Sequence, residues 1–390
     1  MFMVCRFGRY AVASVLLLAG SLDAQQPPPA AFPETALPPP IVSVESAILA
    51  SPTRTEPGTT EATLAPSAKK ADAPGLGGGP GGGGPGGGGP GGGGMGGGGL
   101  GGGPPGYSVT WYPSRRVEGQ NADLGMVRQS LSVGAPIWND VSDKVIFNVS
   151  VRNNAYFTDA VLPESGRAFP AELWHVGLGA NYLHTFDNGW VGGVMVNVGS
   201  QSDKPFHSIR EINVGGAAFL RVPARNDRDS WMFSVVYFPA SNLNFPIPGI
   251  AYVWKPSDRL TVNIGVPFSV NWRPTDDLTL DLSYLPLTNI NARLTQRIFD
   301  GGFLYAGYQF LNESYFLADR VDSRDRFMGF EQRVLGGFRW DLLRYATLDL
   351  NAGYAFDRHY GEGRNQGSSL RDEVRIAPGA FVGLGLQMRF

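Results

Sequence analysis

From Tyr107 onward, apolar and polar residues alternate with a period of two in one segment after another. Val145, Phe147, Val149 and Val151 stand against Ile146, Asn148, Ser150 and Arg152, and Trp174, Val176, Leu178, Ala180 and Tyr182 against His175, Gly177, Gly179 and Asn181. The same pattern returns at Leu260–Val266, Leu278–Tyr284 and Leu348–Phe356. A period of two sends successive side chains to opposite faces of a strand, so each segment predicts a β-strand with one apolar and one polar face. Short polar connections join these segments at Trp138–Asp143, Thr185–Gly189, Ala224–Ser230, Pro256–Asp258, Pro274–Asp277, Phe299–Gly302 and Asp341–Arg344. Longer stretches fall between them at Asn154–Pro170, Pro239–Pro248, Asn312–Arg324 and Arg358–Asp372. Nowhere in this region do 18 apolar residues run together, which excludes helical membrane spans there.

Alternation alone fits a soluble sandwich as well as a membrane barrel, and the polar face separates the two. A face on bulk water is expected to carry Lys, Glu and Thr. Here it carries Gly, Ser, Asn and Arg, and the only lysines after Tyr107 are Lys144, Lys204 and Lys255. Short turns at one end and long loops at the other are the asymmetry of a transmembrane barrel. Trp138, Trp190, Trp231, Trp254, Trp272 and Trp340 all fall beside the short turns, where their rings predict a girdle at the membrane interface. The expected fold is therefore all-β: a transmembrane antiparallel up-and-down β-barrel over 107–390. Fourteen strands are counted from Gly125, sixteen if Tyr107–Val117 also pairs, and twelve if the short strands near Phe268–Arg273 do not count. An even number puts both ends of the barrel on the periplasmic side.

In the last segment Val382, Leu384, Leu386, Met388 and Phe390 share one face, and Gly383, Gly385, Gln387 and Arg389 the other. This ending resembles outer-membrane β-barrel proteins, whose final strand closes on an aromatic residue. The resemblance implies that Phe390 is an assembly signal read by the barrel-assembly machinery. The hairpins Tyr252-Val-Trp-Lys-Pro-Ser-Asp-Arg-Leu260 and Val270-Asn-Trp-Arg-Pro-Thr-Asp-Asp-Leu278, with Leu304-Tyr-Ala-Gly-Tyr308 and Asn351-Ala-Gly-Tyr-Ala-Phe-Asp-Arg358, are similar to an uncharacterised bacterial outer-membrane family. That likeness implies a fold and an outer-membrane location with lipid around it, and brings no catalytic residues.

Met1–Ala24 reads as a secretory signal, with Arg6 and Arg9 before the apolar run Ala11–Gly20 and Ala24 ahead of the cut. Residues 25–106 are low-complexity, first Pro/Ala-rich and then Gly-rich, with 24 of the 54 glycines lying between Gly75 and Gly106. Such a chain has too little apolar surface to offset the entropy of ordering, so it is expected to be disordered and to act as a spacer. The lone cysteine, Cys5, falls in the leader, which excludes disulfides and thiol chemistry from the mature chain.

Charge refines the picture of the interior. Arg128, Arg152, Arg221, Arg293, Arg297, Arg333, Arg339 and Arg389 share the non-lipid parity with Glu211, Asp281, Glu331 and Asp349. An arginine facing hydrocarbon at mid-membrane costs about 2–4 kcal/mol, so this parity is physically required. These groups either line an aqueous pore or pair across the interior, and pairing is the favoured reading for any single arginine. With 32 basic and 34 acidic residues the chain has no basic face for nucleic acid, and the totals carry no sign of ion selectivity. His175 is expected to face inward, His184 to lie near a short turn, and His207 and His359 to sit in long loops. No G-x-S-x-G or H-E-x-x-H motif accompanies them, so no catalytic residue, metal or cofactor is expected. The expected role is passive passage of small solutes. A non-conducting scaffold or display barrel is the alternative, and a hydrolase ranks last.

Overall fold

The computed structural model describes residues 105–226, 228–237, 245–285, 289–343, 345–364 and 369–388. The predicted leader, nearly all of the low-complexity segment, Arg389 and Phe390 lie outside these residues. The strands are β1 (Gly106–Arg116), β2 (Asp123–Asn139), β3 (Asp143–Thr158), β4 (Glu172–Thr185), β5 (Val191–Ser202) and β6 (Ile212–Pro223). They continue as β7 (Ser230–Tyr237), β8 (Ile247–Ser257), β9 (Leu260–Gly265), β10 (Phe268–Trp272), β11 (Leu278–Leu285) and β12 (Asn289–Phe299). The series ends with β13 (Gly302–Tyr315), β14 (Arg326–Leu343), β15 (Ala346–Gly363), β16 (Arg371–Ile376) and β17 (Gly379–Met388).

Each strand pairs antiparallel with its neighbour, and β1 pairs with both β2 and β17, so the sheet closes on itself. Sixteen strands form the ring, the upper end of the expected range, because Tyr107–Val117 does pair. The seventeenth, β16, lies along the outer end of β15 and takes the line that β17 continues, with Arg358 opposite Ile376 and Ala355 opposite Gly379. Closure leaves no edge, which is what a β-structure needs to lie in hydrocarbon. Strands run into the stretches expected as loops: β3 reaches Thr158, past the expected loop start at Asn154, and β8 begins at Ile247. Arg358–Gly363 continues β15 and Arg371–Ile376 forms β16, so the stretch expected as the loop Arg358–Asp372 is largely a strand pair. A bulge beside Asp357, whose φ is +48°, shifts the alternation there and hides the strand from a period-two reading. Likewise β13 runs on to Tyr315, past the expected loop start at Asn312.

The outward face is apolar: Val194, Val196 and Val198 on β5, Leu304 on β13, Val334 on β14 and Leu350 on β15 are all exposed. This exterior around a closed, polar-lined ring makes the chain an outer-membrane β-barrel. Replacing Val196 by arginine is expected to cost about 2–4 kcal/mol in urea unfolding from lipid vesicles, whereas arginine at the inward Asn213 should cost far less.

The barrel is lopsided. Strands β2, β3, β14 and β15 have 17, 16, 18 and 18 residues, while β9, β10 and β11 have 6, 5 and 8. About 9–11 tilted residues cross a bilayer, so the long strands rise beyond it on the loop side.

At the short-turn end successive hairpins hold hands. Arg228 donates to the Pro256 carbonyl and to Asp258, and Arg259 repeats the arrangement one hairpin on, with the Pro274 carbonyl and Asp276. The repeated Pro-Ser/Thr-Asp turns seen in the sequence are thus acceptors for an arginine from the preceding turn. All six girdle tryptophans lie at this end and are exposed.

Candidate functional site: a divided lumen

Seven strands separate β5 from β13 in either direction round the ring, yet the two touch. The Phe316 N–H donates to the Gln201 carbonyl at 2.8 Å, the Asp203 N–H returns to the Phe316 carbonyl at 3.4 Å, and the Asp203 carboxylate accepts the Ala318 N–H at 2.8 Å. The chain leaving β13 therefore folds inward and joins the opposite wall. At the loop end this pinch divides the interior into a tall lobe, from β13 through β17 and β1 to β5, and a short lobe, from β5 through β13.

The tall lobe is filled in two layers. The outer layer is aromatic and apolar. Phe169 from the β3–β4 loop meets Tyr156, Phe327 and Tyr360 with ring centroids 5.1–5.4 Å apart, and Leu162, Leu124, Met126 and Leu173 are buried with them. The loop carrying Phe169 and Leu162 forms a lid with a latch at its rim. Asp372 accepts the Glu164 and Ser165 N–H groups at 2.8 Å, Arg167 contacts Glu362, Asp372 and Asp319, and the Gln120 side chain bonds both the N–H and the carbonyl of Val161. Burial would raise the Asp372 carboxyl, but those two N–H groups and Arg167 together hold it below the ordinary carboxylate value.

Beneath lies a polar layer. Glu313 on β13 receives Arg152 of β3 at 2.9 Å and Arg128 of β2 at 3.3 Å, and its Oε2 accepts from Asn154 at 2.9 Å. These strands are far apart round the ring, so the bonds cross the lumen. Glu331 accepts the Tyr112 hydroxyl at 2.7 Å and lies 3.5 Å from Arg358, while Arg333 donates to Tyr112 at 2.9 Å and to Gln309 at 2.8 Å. The guanidinium of Arg358 also lies over the Tyr112 ring, 4.9 Å from its centroid, and that of Arg333 over Phe381 at 5.2 Å, so π faces share in holding these cations.

The short lobe differs in chemistry and in access. Its inward positions Asn213, Thr261, Ser269, Asn271, Thr279 and Ser283 are half-buried and neutral. Asn271 donates to Asp281, and Asp281 sits directly across from Arg293 on β12. Arg293 lies over the Tyr305 ring, 3.5 Å from its centroid, and reaches Asp349 at 3.5 Å. On the adjoining tall-lobe strands, Arg339 of β14 is directly opposite Asp349 of β15 in the register and lies over the Phe303 ring, 4.4 Å from its centroid. On the β3–β5 wall a glycine makes room for the inward amides: a side chain at Gly179 would stand 2.0 Å from the Asn148 amide oxygen and 2.2 Å from that of Asn197.

Of the residues expected to face the lumen, Arg128, Arg293, Glu331, Arg333, Arg339 and Asp349 are buried inside, Arg152 and Arg221 are half-buried there, and Asp281 lines the short lobe. Arg297 instead lies exposed at the short-turn mouth, 2.6 Å from Asp277. Glu211 is buried in the β5–β6 loop, 4.0 Å from Arg320, on a single 3-10 turn (Ile209–Glu211) rather than on a strand wall. Sequence reasoning missed Glu313, Tyr112 and Asn154, the groups on which the arginines converge. Tyr112 and Asn154 had a signal in their parity, as did Glu313 two residues before Tyr315. The histidines do not form one constellation: His175 is opposite Arg152 on the inner wall, His184 bonds Asp143, and His207 is in the β5–β6 loop. His359, expected in a loop, is on β15 and stacks on Phe330 at 4.7 Å.

Residues 163–388 match the family described as Domain of unknown function (DUF6268). No curated protein matches the sequence. Among solved structures the chain is similar to the β domain of the Bordetella autotransporter BrkA, at 11% identity and TM-score 0.28 over 74% of this chain and 99% of that one. It is also similar to an outer membrane channel from Pseudomonas putida F1, at 8% identity and TM-score 0.33 over 73% and 96%. A third is a loop-deletion form of OmpT, an outer membrane protein of Vibrio cholerae, at 10% identity and TM-score 0.22 over 73% and 97%.

Proposed function

This chain belongs to the family described as Domain of unknown function (DUF6268), and we propose that it is a passive pore for small polar solutes whose path is the short lobe. The observation that carries this reading is the contrast between the two halves of one interior. Arg128, Glu331, Arg333 and Arg358 of the tall lobe are sealed, whereas Asn213, Thr261, Ser269, Asn271, Thr279 and Ser283 of the short lobe are only half-buried. Neutral groups of that kind exchange hydrogen bonds with a passing solute without holding it, which a conduit requires. A lobe filled by its own side chains leaves a narrow path, so the solutes are small. The girdle tryptophans contact interfacial lipid on this reading, and the histidines serve the wall and loops rather than hydrolysis. Insertion uses the last strand through the barrel-assembly machinery.

Purified full-length protein in planar bilayers tests it. Discrete current steps, small for a sixteen-stranded ring, are expected. Their absence at every applied voltage sinks the pore and leaves the display scaffold, for which the lid and the strand pair of β15 with β16 are the outward-facing parts.

A further inference from the structure

The whole chain is nearly neutral, but the fold does not distribute its charge evenly. On the inner faces of the tall-lobe strands, Arg128, Arg152, Arg333, Arg339 and Arg358 face Glu313, Glu331 and Asp349, while Glu362 is taken up by Arg167 of the lid. On the short-lobe strands the inner faces carry Arg221 and Arg293 against Asp281, and Arg293 also reaches Asp349 of β15. Both halves of the interior thus carry more positive than negative charge among the described residues. The compensating acids are outside it, on turns and loops such as Asp258, Asp276, Asp277, Asp319 and Asp322.

One of the interior cations is placed to act on solutes. Arg221 lies two residues from the end of β6, inward and half-buried at the short-turn mouth of the short lobe. Its Nε donates to the Ser230 hydroxyl at 2.7 Å, and no carboxylate among the described residues lies within 4.0 Å of it. The sealed arginines behind the pinch add to the potential, since low-dielectric walls focus the field into the remaining aqueous path.

We infer that the short lobe selects anions, small inorganic anions and small carboxylates, with Arg221 as the residue at its mouth that sets the preference. This rests on the short lobe being a conduit. A unit charge felt through water at about 8 Å biases an anion by roughly twofold and a cation by the reciprocal, so a ratio of about fourfold is expected from Arg221 alone at low ionic strength.

The test is the reversal potential of the full-length protein in a potassium chloride gradient, with inorganic chloride as the probe. Wild type is expected to favour chloride over potassium about fourfold or more. Arg221→Gln should bring the ratio down several-fold, Arg221→Glu should invert it, and Arg221→Lys, which keeps the charge and loses the Ser230 geometry, should retain it. Current steps that favour potassium, or a ratio that does not move in Arg221→Glu, overturn the anion inference while the pore stands. Silence in the wild type overturns both.

Discussion

Replacing Glu313 by glutamine is expected to lower the unfolding free energy by about 3–5 kcal/mol, the range for breaking a buried ion pair while leaving its partner charged. The carboxylate is the meeting point of Arg128 and Arg152, with Asn154 on Oε2 and the Tyr315 hydroxyl 3.3 Å away. Glutamine keeps the volume and can still accept from Asn154, but it leaves two guanidinium groups in a sealed layer with one negative charge fewer. The carboxylate Arg128 retains is the more distant Glu331, at 3.9 Å, beside its neutral partners Asn154 and Tyr112. Loss of the crossing bonds also frees β13 from β2 and β3, so the pinch loses its lower support. Urea titration of the folded, heat-modifiable band on a cold gel measures the effect. A midpoint unchanged from wild type shows that the crossing pairs do not hold the lobe together. Glu313→Asp separates charge from reach, since it keeps the charge on a shorter arm and is expected to recover part of the loss.

The sequence was informative about faces and poor about distances. A period of two tells which side of a strand Arg128, Arg333 or Val196 occupies, because the pleat allows only two choices, and the cost of a charge in lipid makes the choice one-sided. It does not tell which strands bend toward each other. Seven strands separate β5 from β13 either way round, and no local pattern at Gln201 or Phe316 announces that their backbones bond. For the same reason the arginines were legible and their partners were not: Glu313 meets Arg152 only once the barrel is pinched. The tall-lobe core was obscured in another way. Leu124, Met126, Leu173 and Phe327 stand at inward positions, so their strands read as apolar on both faces near the loop end, and the inner face expected to be polar is apolar there. The overall charge totals likewise concealed a sorting that only the three-dimensional placement of turns and walls reveals.

Removing the lid's two anchors, Leu162→Ala with Phe169→Ala, is expected to loosen the lid while leaving the tall lobe closed to current. Burying a leucine and a phenylalanine is worth about 2–5 and 3–5 kcal/mol respectively by truncation, and both side chains lie in the aromatic layer at 1% and 5% exposure. The remaining attachments are the latch at Asp372 and Arg167 and the Gln120 clasp, which lie at the rim and are partly open to water. Trypsin added to vesicles carrying the folded protein is therefore expected to cut at Arg167 far faster in the double variant than in wild type. The latch itself adds a pH signature. Since the folded Asp372 carboxyl is held below its ordinary value, its contribution is complete above about pH 4 and fades only as pH falls through that lowered value, so resistance of the wild type should be flat from neutral pH down to about 5. Current steps should be unchanged in the double variant, because the Glu313 layer still spans the lumen beneath the aromatic one. Adding Glu313→Gln to it removes the second barrier in series, and larger steps are expected only then. Equal protection of Arg167 in both proteins sinks the lid, and larger steps from the anchor variant alone show that the aromatic layer is the sole seal.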